Sequence, residues 1–399
     1  MPDPIRSIAL ITSDAGSLVN FRAPLMQEMV AAGLRVWALA PDFDAPMKSA
    51  LQAIGVDAVE IHLERTGMRP LRDLADLVRL RGVLSRLSPD ATLAYFVKPV
   101  IYGSLAARLA KVPRRFAVMA GLGFPFTFGG SETVRIKALR RVVARMYAAG
   151  FGVCERVFFH NSDDLAYAAD HGMITPAKAV VLNGTGVDLQ HFAAAPVPAG
   201  PPRFLLIARL LKEKGVREFA DAARSVRNVA PDARFDLVGP LDTNPGGLAR
   251  EEVEAWVADG SLRWYGAVGD VRPYIAASTV YVLPSYREGK PRSTQEALAL
   301  GRAVITTDAP GCRDTVEEGV NGFKVPVGDA EALAAAMLRF VRDPSLAAVM
   351  GAKGRRLAED RFDVRLTNRT IMSTLGIAAA SAIDRSRFGQ SAERVAEPC

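Results

Sequence analysis

Residues 285–301 read Ser-Tyr-Arg-Glu-Gly-Lys-Pro-Arg-Ser-Thr-Gln-Glu-Ala-Leu-Ala-Leu-Gly. Two carboxylates, Glu288 and Glu296, stand in this string, with Gly289, Lys290, Pro291, Arg292, Ser293 and Thr294 between them. An apolar run at 280–284 precedes it and Gly301 closes it, so the period changes from strand to loop to helix. Glu288 then lies in the loop and Glu296 in the first turn of the helix. The orphan N–H groups and the dipole of a helix start favour negative charge, so the expected occupant is phosphate, carried by a nucleoside diphosphate. Two plainer readings stay open. Ser293-x-x-Glu296 also spells a capping box, and Glu288, with Arg287, Lys290 and Arg292 around it, also suits a surface ion pair.

Strand, loop and helix alternate on both sides of this string. Strands are expected near 5–12, 36–40, 58–63, 91–96, 116–120, 156–160 and 179–182, with a helix from Pro24 to Ala32 stopped by Gly33. The stretch Pro196-Val197-Pro198-Ala199-Gly200-Pro201-Pro202 has the composition of a linker. A second series follows, at 204–207, 235–238, 262–265, 280–283, 304–306 and 323–325. The expected fold class is therefore α/β, two tandem Rossmann-like doubly wound domains of 1–195 and 203–359. The end of the chain, 377–399, reads as a flexible tail. Neither first strand is followed by G-x-G-x-x-G or a Walker lysine, which disfavours a dehydrogenase or a P-loop enzyme.

The loops of this scheme carry the other candidates. Arg209 and Lys214, in Ala208-Arg209-Leu210-Leu211-Lys212-Glu213-Lys214-Gly215, are either solvated charges or a phosphate grip. Gly239 and Val268 follow two strands of the second series; ligands of open α/β sheets bind outside the strand carboxyl ends, so these turns either line a base pocket or are plain turns. Gly16, after the first strand, is a turn residue or an amide facing a ligand.

With 399 residues, 49% hydrophobic and 23% charged, the chain has ample core for two domains. Its formal charge of +7 suits phosphate-bearing ligands, anionic membranes or nucleic acid. No aromatic-interleaved basic motif supports nucleic acid. Cys154, Cys312 and Cys399, and four scattered histidines, spell no disulfide or zinc framework. The N-terminus has no signal-peptide pattern, and the longest uncharged stretch, Phe116 to Ser131, is too short and glycine-broken to span a bilayer. Phe124, Phe126 and Phe128 lie in a glycine-containing loop, as buried core or, since such a loop is poorly suited to core packing, as an apolar surface beside the helix that follows. The helix after it, Glu132 to Ala149, carries Arg135, Lys137, Arg140, Arg141 and Arg145, and is either a solvated face or a surface for anionic lipid. Arg69, Arg72, Arg79, Arg81 and Arg86 form a similar cluster.

The string 285–301, followed by Thr306-Thr307-Asp308-Ala309-Pro310-Gly311-Cys312-Arg313-Asp314, resembles the signature of retaining glycosyltransferases of family 4. The resemblance implies a GT-B fold, two domains facing a cleft, with about 360–376 crossing back to the first. It implies that Glu288 meets the donor sugar, that 289–292 meet sugar and phosphate, that Glu296 holds the ribose hydroxyls, and that Arg209 and Lys214 clamp the diphosphate. Val97-Lys98-Pro99-Val100-Ile101-Tyr102-Gly103 and Ala120-Gly121-Leu122-Gly123 are similar to the subgroup that builds lipid-linked bacterial glycans, N-acetylgalactosaminyltransferases among them. Many members carry a histidine after the strand ending at Ala120; here that residue is glycine. The implied reaction is retaining, by front-face attack, moving a hexose or N-acetylhexosamine from a nucleotide sugar, UDP favoured, to a lipid-linked saccharide. No Asp-x-Asp occurs as a metal-binding diphosphate motif, so no metal or other cofactor is expected. The expected setting is cytoplasmic, peripheral at the anionic inner-membrane surface. The rivals are a nucleotide-sugar 2-epimerase and a non-catalytic nucleotide-sugar-binding protein.

Overall fold

The structure, a computed structural model, describes residues 4–64, 69–126, 134–244 and 246–378. Close packing divides them into two units. One runs to Phe126, resumes in the segment ending at Leu182 and is completed from Arg365 onward; the other holds Asn183–Val364.

The first unit contains β1 (Ser7–Ile11), α1 (Ala15–Ser17), α2 (Ala23–Ala31), β2 (Arg35–Ala40), α3 (Ala45–Ala53), β3 (Val56–Glu60) and α4 (Pro70–Leu87). It continues through β4 (Ala91–Tyr95), α5 (Ser104–Leu109), β5 (Arg114–Met119), α6 (Val134–Gly152), β6 (Arg156–Phe159), α7 (Ser162–Asp170) and β7 (Ala179–Val181). The second contains β8 (Arg203–Ile207), α8 (Val216–Val229), β9 (Arg234–Val238), α9 (Arg250–Ala258), β10 (Arg263–Trp264) and α10 (Arg272–Ala276). It ends with β11 (Val280–Leu283), α11 (Arg292–Ala299), β12 (Ala303–Thr307), β13 (Gly322–Val325), α12 (Ala330–Arg342) and α13 (Ser345–Leu357). Helix α14 (Val364–Leu375) then returns to the first unit, where Ile371, Met372 and Leu375 pack with Met26 and Met29 and Asn368 donates to Glu28 at 2.9 Å.

Both sheets are parallel throughout, in the orders β3-β2-β1-β4-β5-β6-β7 and β10-β9-β8-β11-β12-β13. Their inner strands are mostly apolar runs because helices cover both faces, while the edge strands β3 and β10 carry charged residues. In β8, for example, Phe204 and Leu206 join the core beneath α8 and α12, while Leu205 joins Tyr281, Leu298 and Val304 on the other face. The strand order reverses between β1 and β4 and again between β8 and β11, and ligands of open parallel sheets bind at the carboxyl ends beside such reversals. Each strand expected from the sequence is present. One begins early: β3 starts at Val56, and pairing stops at Glu60 because β2 ends opposite it at Ala40.

The domain boundary differs from the expected one. Residues 183–202, read as the end of the first domain and a linker, are fastened to the second unit. Val187 donates to Phe362 at 2.7 Å, and its carbonyl accepts from Val364 at 3.0 Å. Leu189 and Phe192 are in the core with Leu205 and Tyr281. Arg302, fully buried, donates to the carbonyls of Ala195 (2.8 Å), Pro196 (2.9 Å), Ile275 (2.9 Å) and Ala276 (2.9 Å). The proline segment is thus tied down at its start by a side chain far along the chain. Among the described residues no helix is long and apolar enough to cross a membrane. The tail beyond 378 and Cys399 lie outside the described residues.

Candidate functional site

Because β8 and β11 are neighbours at the strand-order reversal, the loops that leave their carboxyl ends meet. The β8 loop brings Lys214, the β11 loop brings Glu288, and their side chains form an ion pair on Oε1 of Glu288, both groups mostly buried. Ser285 donates to the same oxygen at 2.9 Å. The two loops are also joined through backbone, Tyr286 N–H donating to the Glu213 carbonyl at 2.9 Å. Gly215 closes the β8 loop at φ +71°, and a Cβ there would stand 2.2 Å from the Pro284 carbonyl oxygen. A third loop, after β12, props Glu288 from behind: its N–H donates to Pro310 at 3.0 Å, and Gly311 at φ +76° leaves no room for a Cβ, which would lie 2.2 Å from the Glu288 carbonyl oxygen. Arg209, half exposed, donates to Asp242 at 2.7 Å.

Helix α11 opens directly after this loop, at Arg292, with Pro291 as its N-cap at φ −66° and ψ 121°. The capping box does not form. Ser293 is the second residue of the helix rather than its cap, and its Oγ lies 2.6 Å from the buried Tyr281 hydroxyl, itself 3.2 Å from the Ile207 carbonyl oxygen. Glu296 consequently falls one turn into the helix, not in its first turn, and accepts from Arg292 Nε at 2.7 Å. Arg292 also donates to the Gly186 carbonyl at 3.3 Å. Burial pushes the Glu296 carboxyl above the usual glutamate range, against the pull of Arg292, and Asp270 adds to the rise. Thr294, fully buried in the first turn, has no hydrogen-bond partner for Oγ1.

Lys290 is turned inward, 3.3 Å from Asp314, so its ammonium braces the loop. Gly289 and Pro291 carry the backbone between Glu288 and α11. Gly239 follows β9 directly, with N–H donating to Gly266 at 2.8 Å and carbonyl accepting from Trp264 Nε1 at 2.9 Å. Val268 packs half-buried on the Tyr281 side of the core. Lys214, Glu288 and the start of α11 are thus gathered in one place, and Arg209 is held beside Asp242. Sequence reasoning missed Tyr281, Asp242 and Ser285; nothing in a strand tyrosine or a loop acid marks it as the neighbour of a distant loop. Gly311 was within reach, since Ala309-Pro310-Gly311 spells a tight turn.

The first unit holds Gly16, in α1, where a Cβ would meet nothing closer than 3.5 Å. The position is helical and does not demand glycine. One Asp-x-Asp does occur, Asp42-Phe43-Asp44, and both acids serve the backbone: Asp42 accepts from Ala15 N–H at 2.8 Å and Asp44 caps α3 through Met47 N–H at 2.7 Å. Phe126 is core, edge-on to Tyr167 at 5.6 Å between ring centres, while Phe128, Glu132 and the Phe124 side chain lie outside what is described. Lys137, Arg140, Arg141 and Arg145 of α6 line a basic groove of about 370 Å³ with Tyr167 and His171.

Residues 201–343 match the family Glycosyl transferases group 1, and residues 8–151 match Glycosyl transferase 4-like. Together the two matches take in most of the chain, which is a glycosyltransferase and belongs to these families. Among its relatives is the N,N'-diacetylbacillosaminyl-diphospho-undecaprenol alpha-1,3-N-acetylgalactosaminyltransferase of Campylobacter jejuni, 26% identical over 85% of this chain and 90% of that one. Another is the UDP-Gal:alpha-D-GlcNAc-diphosphoundecaprenol alpha-1,3-galactosyltransferase of Escherichia coli, 25% identical over 74% and 77%. Solved structures with the same fold include Anabaena HepE in complex with UDP-glucose, TM-score 0.74 at 18% identity over 93% and 99% of the two chains. A sucrose-phosphate synthase from Thermosynechococcus elongatus reaches TM-score 0.76 at 20% identity over 92% and 98%. The fold is that of the GT-B glycosyltransferases.

Proposed function

We propose that this chain moves a hexose or N-acetylhexosamine from a UDP-sugar to a lipid-linked saccharide in bacterial glycan synthesis, with retention at the anomeric carbon. The observation that carries the donor half is the Lys214–Glu288 pair, built from two loops at the strand-order reversal and lying next to the start of α11. Glu288 steers the Lys214 ammonium, and α11 opens directly after the same loop, where the N–H groups of a helix start suit a diphosphate. Arg209 adds a guanidinium, able to grip phosphate bidentately once released from Asp242. Glu288 itself meets the sugar, Gly289 to Thr294 line sugar and phosphate, and Glu296 accepts from the ribose hydroxyls. Gly239 and Val268 border the base; Gly16 faces donor or acceptor in the first unit.

In this reading the acceptor hydroxyl attacks the anomeric carbon on the face the diphosphate leaves. The bond to the β-phosphate oxygen breaks and that oxygen takes the acceptor proton. Charge growing on the diphosphate is met by Lys214, Arg209 and the helix start, work that a divalent cation does in other enzymes, so the reaction is read as metal-independent. The lipid-linked acceptor is supported by what the two named relatives act on. The reading sets the chain at the cytoplasmic face of an anionic membrane, with the α6 arginines as a charged contact, and a lipid-linked acceptor is what supports it.

The test is incubation with UDP-, GDP- and dTDP-sugars and a polyprenyl-diphosphate-linked acceptor, with and without EDTA, and assignment of the product anomer by NMR. A retained linkage from a UDP-sugar, unaffected by EDTA, is expected. Inversion sinks the mechanism, loss of turnover in EDTA sinks metal independence, and isomerised donor without acceptor returns the epimerase.

A further inference from the structure

Helix α4 has two apolar stripes. Leu77, Leu80 and Leu84 are buried against Trp37, Leu39 and Ile11 in the first unit's core. Leu71, Leu74 and Val78, spaced three and four apart and so aligned on the other side of the helix, are 86%, 57% and 56% exposed. A globular helix needs only the first stripe. The charges on α4 are sorted as well. Its acids, Asp73 and Asp76, are both buried, Asp73 held by Lys98 at 2.8 Å and by Tyr102 at 3.3 Å. Its arginines, Arg72, Arg79, Arg81 and Arg86, are all exposed and flank the outer stripe. Glu64 takes up Arg72 at 2.6 Å and Asp76 takes up Arg79 at 3.3 Å, while Arg81 and Arg86 have no acidic partner among the described residues. The outer face is therefore an apolar ridge with a cationic border. The helix follows β3, so Leu71 and Leu74 stand near the carboxyl edge of the sheet, the edge at which ligands of such folds bind.

We propose that α4 seats the first unit on an anionic lipid bilayer, Leu71, Leu74 and Val78 entering the acyl boundary and the arginines meeting headgroup phosphates. This deepens the reading above, in which the acceptor is carried by a lipid, and it assigns insertion to α4 where α6 offers mainly charge. An interfacial helix of this make draws on buried apolar area and on attraction to anionic lipid together, so binding survives salt better than charge alone.

The experiment uses the full chain and vesicles of phosphatidylcholine with phosphatidylglycerol, in the absence of donor and acceptor. Leu71→Gln/Leu74→Gln/Val78→Gln is expected to lower vesicle partitioning about tenfold or more at high salt, where the wild type still binds, and to leave the UDP-induced thermal shift unchanged. Unchanged partitioning overturns the proposal, as does a wild-type dimer that the variant loses while still binding vesicles, which gives the ridge to a second copy. Should the triple variant unfold, Leu74→Cys in a Cys399→Ser chain carries an environment-sensitive dye, the remaining thiols Cys154 and Cys312 being buried. A blue shift of its emission on anionic vesicles supports insertion; an unmoved spectrum overturns it. A chain that docks this way yet transfers no sugar sinks the transferase reading and leaves the docking standing.

Discussion

Lys214 and Ser285 both reach Glu288 through the same carboxylate oxygen, so the glutamate and the lysine are positioned by each other. Glu288→Gln keeps the shape and removes the charge. It is expected to cut turnover by about 100-fold or more with a much smaller loss of UDP affinity by calorimetry, because the residue is assigned to the sugar and reaches the diphosphate only through Lys214. Lys214→Ala and Arg209→Ala should instead weaken UDP binding as well as turnover, each losing a charge-assisted contact of about 1.5–3 kcal/mol. Equal UDP affinity in either variant removes it from the site. Glu296 makes a pH prediction. Its carboxyl is raised by burial, so the ionised form that accepts from a ribose is lost at higher pH than the usual ~4.3. UDP affinity should fall on acidification with an inflection above that value, and Glu296→Gln should flatten it. The stability sign is the reverse: a carboxyl whose folded pKa is raised binds its proton more tightly in the folded state, so its contribution is present on the acid side and declines as pH rises through the folded value. Thermal scans across that window in wild type and variant measure it.

At the scale of elements, Gly311 is one of the points where the β12 loop touches the β11 loop. Gly311→Ala places a Cβ against the Glu288 carbonyl and strains a left-handed backbone, so a lower melting temperature together with reduced transfer is expected, with both read from the same preparation. Normal melting and normal transfer would show that the loop yields without consequence. The alternation of apolar runs with helical stretches made the strands and the two-sheet plan readable, because a strand buried on both faces has no polar residues to confuse its period. The meeting of Lys214 and Glu288 was readable only through resemblance: their loops are adjacent because β8 and β11 pair, and pairing between strands so far apart leaves no local trace. The start of α11 lies two positions earlier than the capping box spells for a physical reason, since Pro291 caps the helix by its fixed backbone and Tyr281 occupies the serine that would have capped it. Asp242 and Gly186 joined the picture only in three dimensions. Each is a loop group whose role depends on which arginine arrives there.

At the scale of the whole molecule, two basic surfaces of the first unit invite different variants. Replacing Arg135, Arg140, Arg141 and Arg145 of α6 with glutamine should weaken binding to anionic vesicles most at low salt, each charge near a membrane being worth roughly 1 kcal/mol. The same variant should slow transfer to a long-chain polyprenyl acceptor more than to a short soluble analogue. Equal slowing on both acceptors would point to a role in handling the saccharide, and unchanged sedimentation would leave α6 as a solvated face. The tie between Arg302 and the carbonyls of Ala195 and Pro196 bears on a different matter, the exchange of donor specificity between related chains. A graft joined at Arg203, after the prolines, parts the arginine from two of its four bonded carbonyls outside its own neighbourhood and replaces Leu189 and Phe192 in the core with residues that evolved beside another sheet. A graft joined between Leu182 and Asn183 and returned between Val364 and Arg365 moves the strap, its arginine and its core together. Natural recombination between such genes, and any hybrid made by hand, should therefore tolerate seams at those two places and fail at the stretch that looks most like a hinge.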